Sequence, residues 1–221
     1  MQNGSPITIK DALFSLTAIL LVLLVPHSGI IPLPFGYSIP VLLFVWLFLK
    51  RRGENFADIG FSFKRLDIKS FLIGTIAGIL IFAFVNWLFF PLLEKIVHIP
   101  DADLGDFAKL KGNTGFFIFI LLMAWLVGGI YEEIVFHGFI FTRIEKMINK
   151  RQAMILSFVI TNLVFAFYHI QLGLRGVLNA LVCGLLFQGL MLLKQRNMWY
   201  AIFAHAVFDT IALTFLYLGY K

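Results

Sequence analysis

Long apolar runs dominate the chain and decide what it can fold into. Charged, proline-rich or glycine-rich segments separate seven of them, at residues 10–26, 36–50, 71–93, 116–141, 152–170, 174–193 and 198–219. A helix needs about 20 mostly apolar residues to cross a bilayer. Because 60% of the 221 residues are hydrophobic and only 14% are charged, the sequence predicts an all-α, polytopic transmembrane helix bundle. We expect about seven transmembrane helices (six to eight), in a single membrane domain spanning residues 1–221.

The first two runs are the least regular part of this prediction. The second run is short, and four prolines lie close to its start, namely Pro26, Pro32, Pro34 and Pro40. Proline interrupts helices, so this pair could be irregular. The first ten residues contain one lysine, and no small-residue cleavage site follows the first run. We therefore expect the first run to be a retained helix and not a signal peptide.

The basic residues predict the orientation of the helices. With a cytoplasmic N-terminus, 13 of the 18 lysines and arginines would lie on the cytoplasmic side: Lys10, Lys50, Arg51, Arg52, Lys64, Arg65, Lys69, Arg143, Lys146, Lys150, Arg151, Lys194 and Arg196. Five would lie on the other side, namely Lys95, Lys109, Lys111, Arg175 and Lys221. Membrane proteins keep Lys and Arg on the cytoplasmic side. We therefore attribute the formal net charge of +6 to the basic residues that orient the helices in the membrane, and we expect no nucleic acid partner.

Six ionisable residues lie inside the predicted helices. They are Glu132, Glu133 and His137 in the fourth helix, His169 in the fifth, and His205 and Asp209 in the last. Such groups cost at least a few kcal/mol each in hydrocarbon, so they normally face a protein interior or a water-filled cavity and serve a function. Residues four apart share a helix face. This spacing pairs Glu133 with His137 and His205 with Asp209, and it places Phe165 and Asn162 near the face of His169.

Helix geometry adds two expectations. Glu132 and Glu133 are adjacent and point about 100° apart, so at most one of them should point at a site shared with another helix. At about 1.5 Å per residue, Glu132 lies about 16 Å from an inner helix end marked by Arg143, level with His205 and Asp209 at about 12 and 18 Å from Asn197. Counted from Arg151, His169 would lie about 27 Å from the inner end of its helix, near the opposite membrane surface. Either that helix begins well below the membrane plane or it tilts strongly.

These residues predict hydrolysis inside the membrane. A carboxylate and a histidine in a confined polar pocket can activate water, and a second histidine with a carboxyl neighbour can stabilise the resulting oxyanion. This interpretation requires no cofactor. The same residue types could instead bind zinc, through Glu132, His169 and His205. The sequence contains no Gly-x-Ser-Gly, Gly-x-Gly-Asp or His-Glu-x-x-His motif, and the single Cys183 is predicted to be core.

Three motifs resemble those of the CAAX protease and bacteriocin-processing family, also called the Abi or type II CAAX endopeptidase family. The segment Glu132-Glu133-x-x-x-His137 is similar to the family motif Glu-Glu-x-x-x-Arg. The segment Phe165-x-x-x-His169 is similar to Phe-x-x-x-His, and His205-x-x-x-Asp209 to His-x-x-x-Asn or Asp. The resemblance covers about residues 115–215, which are the predicted catalytic core.

The resemblance implies a glutamate-type intramembrane endopeptidase. It implies that Glu132 and His169 activate the water and that His205 and Asp209 form the oxyanion site. Supporting positions are Glu133, His137, Phe165 and Asn162. Family members process CAAX tails, bacteriocins or peptide pheromones, so the expected partners are membrane lipid and a membrane-associated peptide or protein substrate. The small chain resembles bacterial members, which implies a bacterial plasma membrane.

One residue departs from the family pattern, because His137 stands where the family has Arg. Arginine is permanently charged and can fork to two acceptors, whereas histidine can be neutral. The departure raises an alternative function, that of an inactive family member acting as a membrane scaffold or regulator in immunity or signalling. A transporter is a third alternative, since buried Glu and His also build proton relays. The sequence contains no inverted repeat to support it.

Overall fold

The computed structural model describes residues 8–31, 33–148 and 152–220, and within them it contains helices and turns but no strand. The long helices are α1 (Ile9–Leu24), α2 (Ser38–Arg51), α3 (Ile68–Leu93), α4 (Thr114–Met147), α5 (Ala153–Tyr168), α6 (Gly173–Leu193) and α7 (Trp199–Leu218). Each of the seven apolar runs corresponds to one of these helices, which confirms the predicted helical bundle. Four residues that entered the sequence predictions lie outside the described residues, namely Pro32, Lys150, Arg151 and Lys221.

Most of these helices are long enough to cross a bilayer. Within the described ranges, five helices meet the length and hydropathy expected of a membrane span: α1 with the turn that follows it, α3, α4, α6 with the turn that precedes it, and α7. The other two are shorter, with 14 residues in α2 and 16 in α5, or about 21 and 24 Å. Large apolar side chains such as Leu80 and Trp87 stay exposed on the helix surfaces, as contact with lipid requires. The chain is an integral membrane protein.

Two glycines bring α3 close to α7. A Cβ atom added at Gly74 would lie 2.6 Å from Phe203 Cβ, and one added at Gly78 would lie 2.5 Å from the carbonyl oxygen of Ala204. Small residues four apart let helix backbones approach closely in membranes, where packing drives helix association. This contact positions α7, the helix that carries His205.

Helix α4 changes its winding along its length. It is α-helical over Thr114–Met123, π-helical over Ala124–Ile140 and α-helical again over Phe141–Met147. The π-helix is rare, usually limited to a single turn, and frequent at functional sites. Here the π-helical segment contains Glu132 and both residues of the predicted Glu133–His137 pair.

The end of α4 differs from the prediction. Arg143 was expected to mark that end, but the helix continues to Met147 and Arg143 is buried. Its guanidinium donates hydrogen bonds to both carboxylate oxygens of Glu54, in the connection between α2 and α3. Lys146 Nζ lies 3.0 Å from Glu54 Oε1. These contacts tie the end of α4 to the α2–α3 connection.

Candidate active site

Four predicted residues from three helices lie close together. Glu132 Oε2 is 3.9 Å from His169 Nε2 and 4.0 Å from His205 Nε2. His205 Nε2 is 3.6 Å from Asp209 Oδ2. The site therefore lies where α4 and α7 meet the end of α5.

His169 follows the last residue of α5, where the chain turns towards α6. Its Nδ1 lies 2.8 Å from the carbonyl oxygen of Phe165. A carbonyl can only accept, so Nδ1 carries the proton in this bond and Nε2 keeps its lone pair, directed towards Glu132.

His169 lies beside Glu132, although the count along the helices had placed it about 27 Å from its inner helix end and Glu132 only about 16 Å from its own. The count took Arg143 as the inner end of α4, whereas the helix continues to Met147. Glu132 therefore lies farther along α4 than the count gave, and the two side chains meet at 3.9 Å.

The ring of His205 lies between the two adjacent glutamates. Its Nδ1 is 2.9 Å from Glu133 Oε1, whereas its Nε2 faces Glu132. Both glutamates contact His205, because an imidazole carries one nitrogen on each edge, but only Glu132 lies on the accessible side of the ring. Phe187 of α6 stacks on the ring, with centroids 4.7 Å apart and planes 22° apart.

Glu133 and His137 form a buried pair. His137 Nδ1 lies 2.7 Å from Glu133 Oε2, and both side chains are 0% exposed. Since Oε1 of Glu133 contacts His205, this one carboxylate joins two histidines, one at each oxygen. The side chain that replaces the family's arginine therefore still contacts Glu133.

Exposure separates the polar groups into two sets. The side chains of Glu132, His169 and Asp209 are 12%, 18% and 28% exposed. Those of Glu133 and His137 are fully buried behind them. The first set, together with Nε2 of His205, is accessible to a reactant, whereas the second set can act only through its neighbours.

The other two supporting positions have different surroundings. The buried ring of Phe165 lies near all three site histidines, with centroids 4.7 Å from His169, 5.3 Å from His137 and 6.2 Å from His205. Asn162 is not in the site. It donates from Nδ2 to Gln188 Oε1 of α6 at 2.5 Å, so it links two helices.

Gly128 and Phe187 also border the site, although neither was predicted from the sequence. A Cβ atom at Gly128 would lie 2.6 Å from Asp209 Oδ2 and 3.6 Å from His205 Nε2, so the missing side chain makes room for the Asp209 carboxylate. A signal was present, because Gly128 lies four residues before Glu132 and small residues mark close helix contacts in membranes. Phe187 gave no signal, since it is one of 26 phenylalanines in an apolar chain.

Within residues 8–31, 33–148 and 152–220, no group of three or more His, Cys, Asp or Glu side chains is placed to hold a metal ion. Zinc binding by Glu132, His169 and His205 stays a prediction, and no step of the chemistry below depends on it. Cys183 is buried and free, as expected of a core residue.

Comparison with known proteins gives a family match for part of the chain. Residues 114–211 match the family model described as type II CAAX prenyl endopeptidase Rce1-like, and this segment contains every site residue described above. This part of the chain is therefore similar to proteases of the CAAX endopeptidase type. The match covers the three motifs and confirms the resemblance drawn from them. Comparisons with the curated proteins and with the solved structures give no match.

Proposed function

We propose that the chain is a glutamate-type endopeptidase that hydrolyses a peptide bond of a membrane-associated peptide or protein. The observation that carries this proposal is the 3.9 Å separation of Glu132 Oε2 and His169 Nε2 on the accessible side of the site. A water molecule about 2.8 Å from each atom fits that separation. Such a water would be held by both groups that the reaction needs.

Glu132 and His169 have separate roles in activating this water. Glu132 acts as the general base and removes the proton as the water attacks the substrate carbonyl. His169 accepts the other hydrogen through Nε2, because its Nδ1 proton is engaged with the Phe165 carbonyl. That engagement orients the ring before the substrate arrives.

His205 and Asp209 flank the place where the negative oxyanion develops. Because Nδ1 of His205 contacts Glu133, Nε2 is left to face the site. A protonated His205 donates from Nε2 to the oxyanion, and the buried Glu133 carboxylate balances its charge. Asp209 can donate only in its protonated form, since a carboxylate has no hydrogen to donate.

The His137 contact favours an active enzyme over the scaffold alternative. That alternative rests on the missing arginine, but His137 keeps a 2.7 Å hydrogen bond to Glu133. Glu133 in turn contacts His205. Although His137 replaces the arginine of the family motif, Glu133 therefore keeps a hydrogen-bond partner and still contacts His205.

For the substrate we propose a CAAX-type tail, with bacteriocin and pheromone precursors as the other members of the class. The family description names prenyl endopeptidases, which supports this choice. We also propose a bacterial plasma membrane and a cytoplasmic N-terminus. The support for this orientation is the basic side chains at the end of the bundle where α1 begins and α2 ends, including Lys10, Arg51 and Arg52.

The test is cleavage by purified protein in liposomes. The probe is an S-farnesylated peptide with a CAAX tail, and release of its last three residues is followed by mass spectrometry. Glu132→Gln should lower kcat at least 100-fold, because a positioned general base contributes about 10²–10⁴. The control is Glu145→Gln on the same helix, a carboxylate paired with Arg196 away from the site, which should cleave normally. Equal cleavage by Glu132→Gln and wild type would reject the role assigned to Glu132, whereas a wild-type protein that cleaves no peptide would favour the scaffold.

A further inference from the structure

We propose that a cleft between the start of α1 and the end of α2 binds the phosphate group of an anionic phospholipid. The cleft has a volume of about 500 Å³ and is lined by Lys10, Asp11, Phe14, Arg51, Arg52 and Glu54. Pockets that bind small ligands usually have volumes of about 300–1,000 Å³. Because the apolar helix α1 begins at Ile9 and α2 ends at Arg51, the cleft lies at the level of the lipid headgroups.

Both carboxylates of the cleft are already paired within the protein. Asp11 Oδ1 accepts a hydrogen bond from Arg52 Nη1 at 3.0 Å. Glu54 accepts hydrogen bonds from the buried guanidinium of Arg143 and lies 3.0 Å from Lys146 Nζ. Neither acidic side chain is therefore left to balance the charge of another cation in the cleft.

Two basic side chains of the cleft have no acidic partner. Within the part of the chain that the structure describes, neither Lys10 nor Arg51 forms an ion pair with a carboxylate, and both are exposed. The guanidinium carbon of Arg51 lies 5.9 Å from the centroid of the Phe14 ring, which stacks on Phe48 with centroids 4.8 Å apart. An aromatic face attracts a cation without cancelling its charge. The cleft therefore presents two positive charges above a packed aromatic floor.

The surface beside the cleft favours a lipid over a free phosphate. Leu13 and Leu47 are exposed, and they stand three residues after Lys10 and four before Arg51. Residues three or four apart share a helix face, so each cation has an apolar side chain one turn deeper in the membrane. A phosphate bound in the cleft would place its acyl chains along these leucines. A zwitterionic headgroup would bring its own ammonium towards the two cations, so an anionic lipid fits better.

The first test removes both unpaired charges and measures lipid binding. The probe is palmitoyl-oleoyl phosphatidylglycerol, and native mass spectrometry of the full chain in detergent gives the Kd of the first lipid bound. We expect about a 25-fold weaker Kd for the double variant Lys10→Gln/Arg51→Gln, because each basic residue near an anionic lipid contributes about fivefold. The matched control is Lys64→Gln/Lys69→Gln, which removes the same charge from exposed lysines between α2 and α3 and at the start of α3. It should bind like wild type.

The second measurement identifies the source of the phosphate. Phosphatidylglycerol should raise the thermal unfolding midpoint of wild type and of the control more than that of the double variant, since a ligand stabilises the folded state it binds. Phosphatidylcholine and inorganic phosphate should leave all three midpoints unchanged. Equal weakening of binding in both double variants would show attraction to surface charge in general and overturn the site. Equal binding of phosphatidylcholine, or displacement of phosphatidylglycerol by inorganic phosphate, would overturn the choice of an anionic lipid. None of these results involves cleavage, so they are independent of the proposed function.

Discussion

Replacing Gly128 by alanine should displace the Asp209 carboxylate by an amount that the structure defines. The added Cβ would lie 2.6 Å from Asp209 Oδ2, whereas ordinary contact begins at 3.4 Å, so Oδ2 must move by about 0.8 Å. Asp209 is 28% exposed and has room to move. A misplacement of about 1 Å can cost on the order of 10²-fold in rate, so we expect kcat to fall about 10- to 100-fold. Folding should be retained, because alanine forms helix better than glycine by about 1 kcal/mol.

The assay is peptide cleavage in liposomes together with thermal unfolding in detergent. Gly115→Ala is the matched control, since it lies on the same helix and its added Cβ would have no neighbour closer than 4.0 Å. This variant should cleave at the wild-type rate. If Gly128→Ala were folded and equally fast, the position of Asp209 would be irrelevant to the chemistry, and the oxyanion role would have to be abandoned.

Two further predictions concern a carboxylate in the site and one outside the membrane spans. Asp209→Asn should keep more kcat than Asp209→Ala between pH 5 and pH 9, because an amide donates a hydrogen bond at every pH; equal losses would argue against a donor role. Burial would raise the pKa of Glu54, but hydrogen bonds from Arg143 and Lys146 outweigh it and lower the pKa below its usual 4.5. Its stabilising contribution is therefore complete above about pH 4.5 and is lost as the pH falls through the lowered pKa. Unfolding midpoints measured from pH 7 to pH 3 should fall more for wild type than for Glu54→Gln, and parallel curves would contradict this.

Much of the fold could be predicted because the bilayer imposes a length on each apolar run. All seven runs contain a helix, and the short second run became the 14-residue α2. The end of α4 could not be predicted in this way, because a charged residue normally marks a membrane boundary. Here the charge of Arg143 is buried against Glu54, from a segment 89 residues away in sequence.

The residues that meet in the candidate site could be predicted from the sequence, but the contacts between them could not. Motif spacing identified Glu132, His169 and His205 because ionisable groups are rare in membrane helices. The contact of both glutamates with His205 could not be predicted, because helix geometry gives the direction of each side chain but does not show that an imidazole ring lies between the two carboxylates. The π-helical winding of Ala124–Ile140 leaves no recognisable mark in the sequence. The role of Gly128 depends on which helix lies opposite it, and only the tertiary structure shows that.

The hydrogen bond from His169 Nδ1 to the Phe165 carbonyl also caps the C-terminus of α5. That carbonyl lies in the last turn of the helix, where the backbone ladder ends and lipid offers no donor. The ring therefore serves helix stability through one nitrogen and the reaction through the other. Replacing His169 by alanine removes both at once, so the resulting loss of activity would measure a frayed helix end as well as a missing catalytic nitrogen. Asparagine, which can still donate to a nearby carbonyl, is the substitution that separates the two contributions.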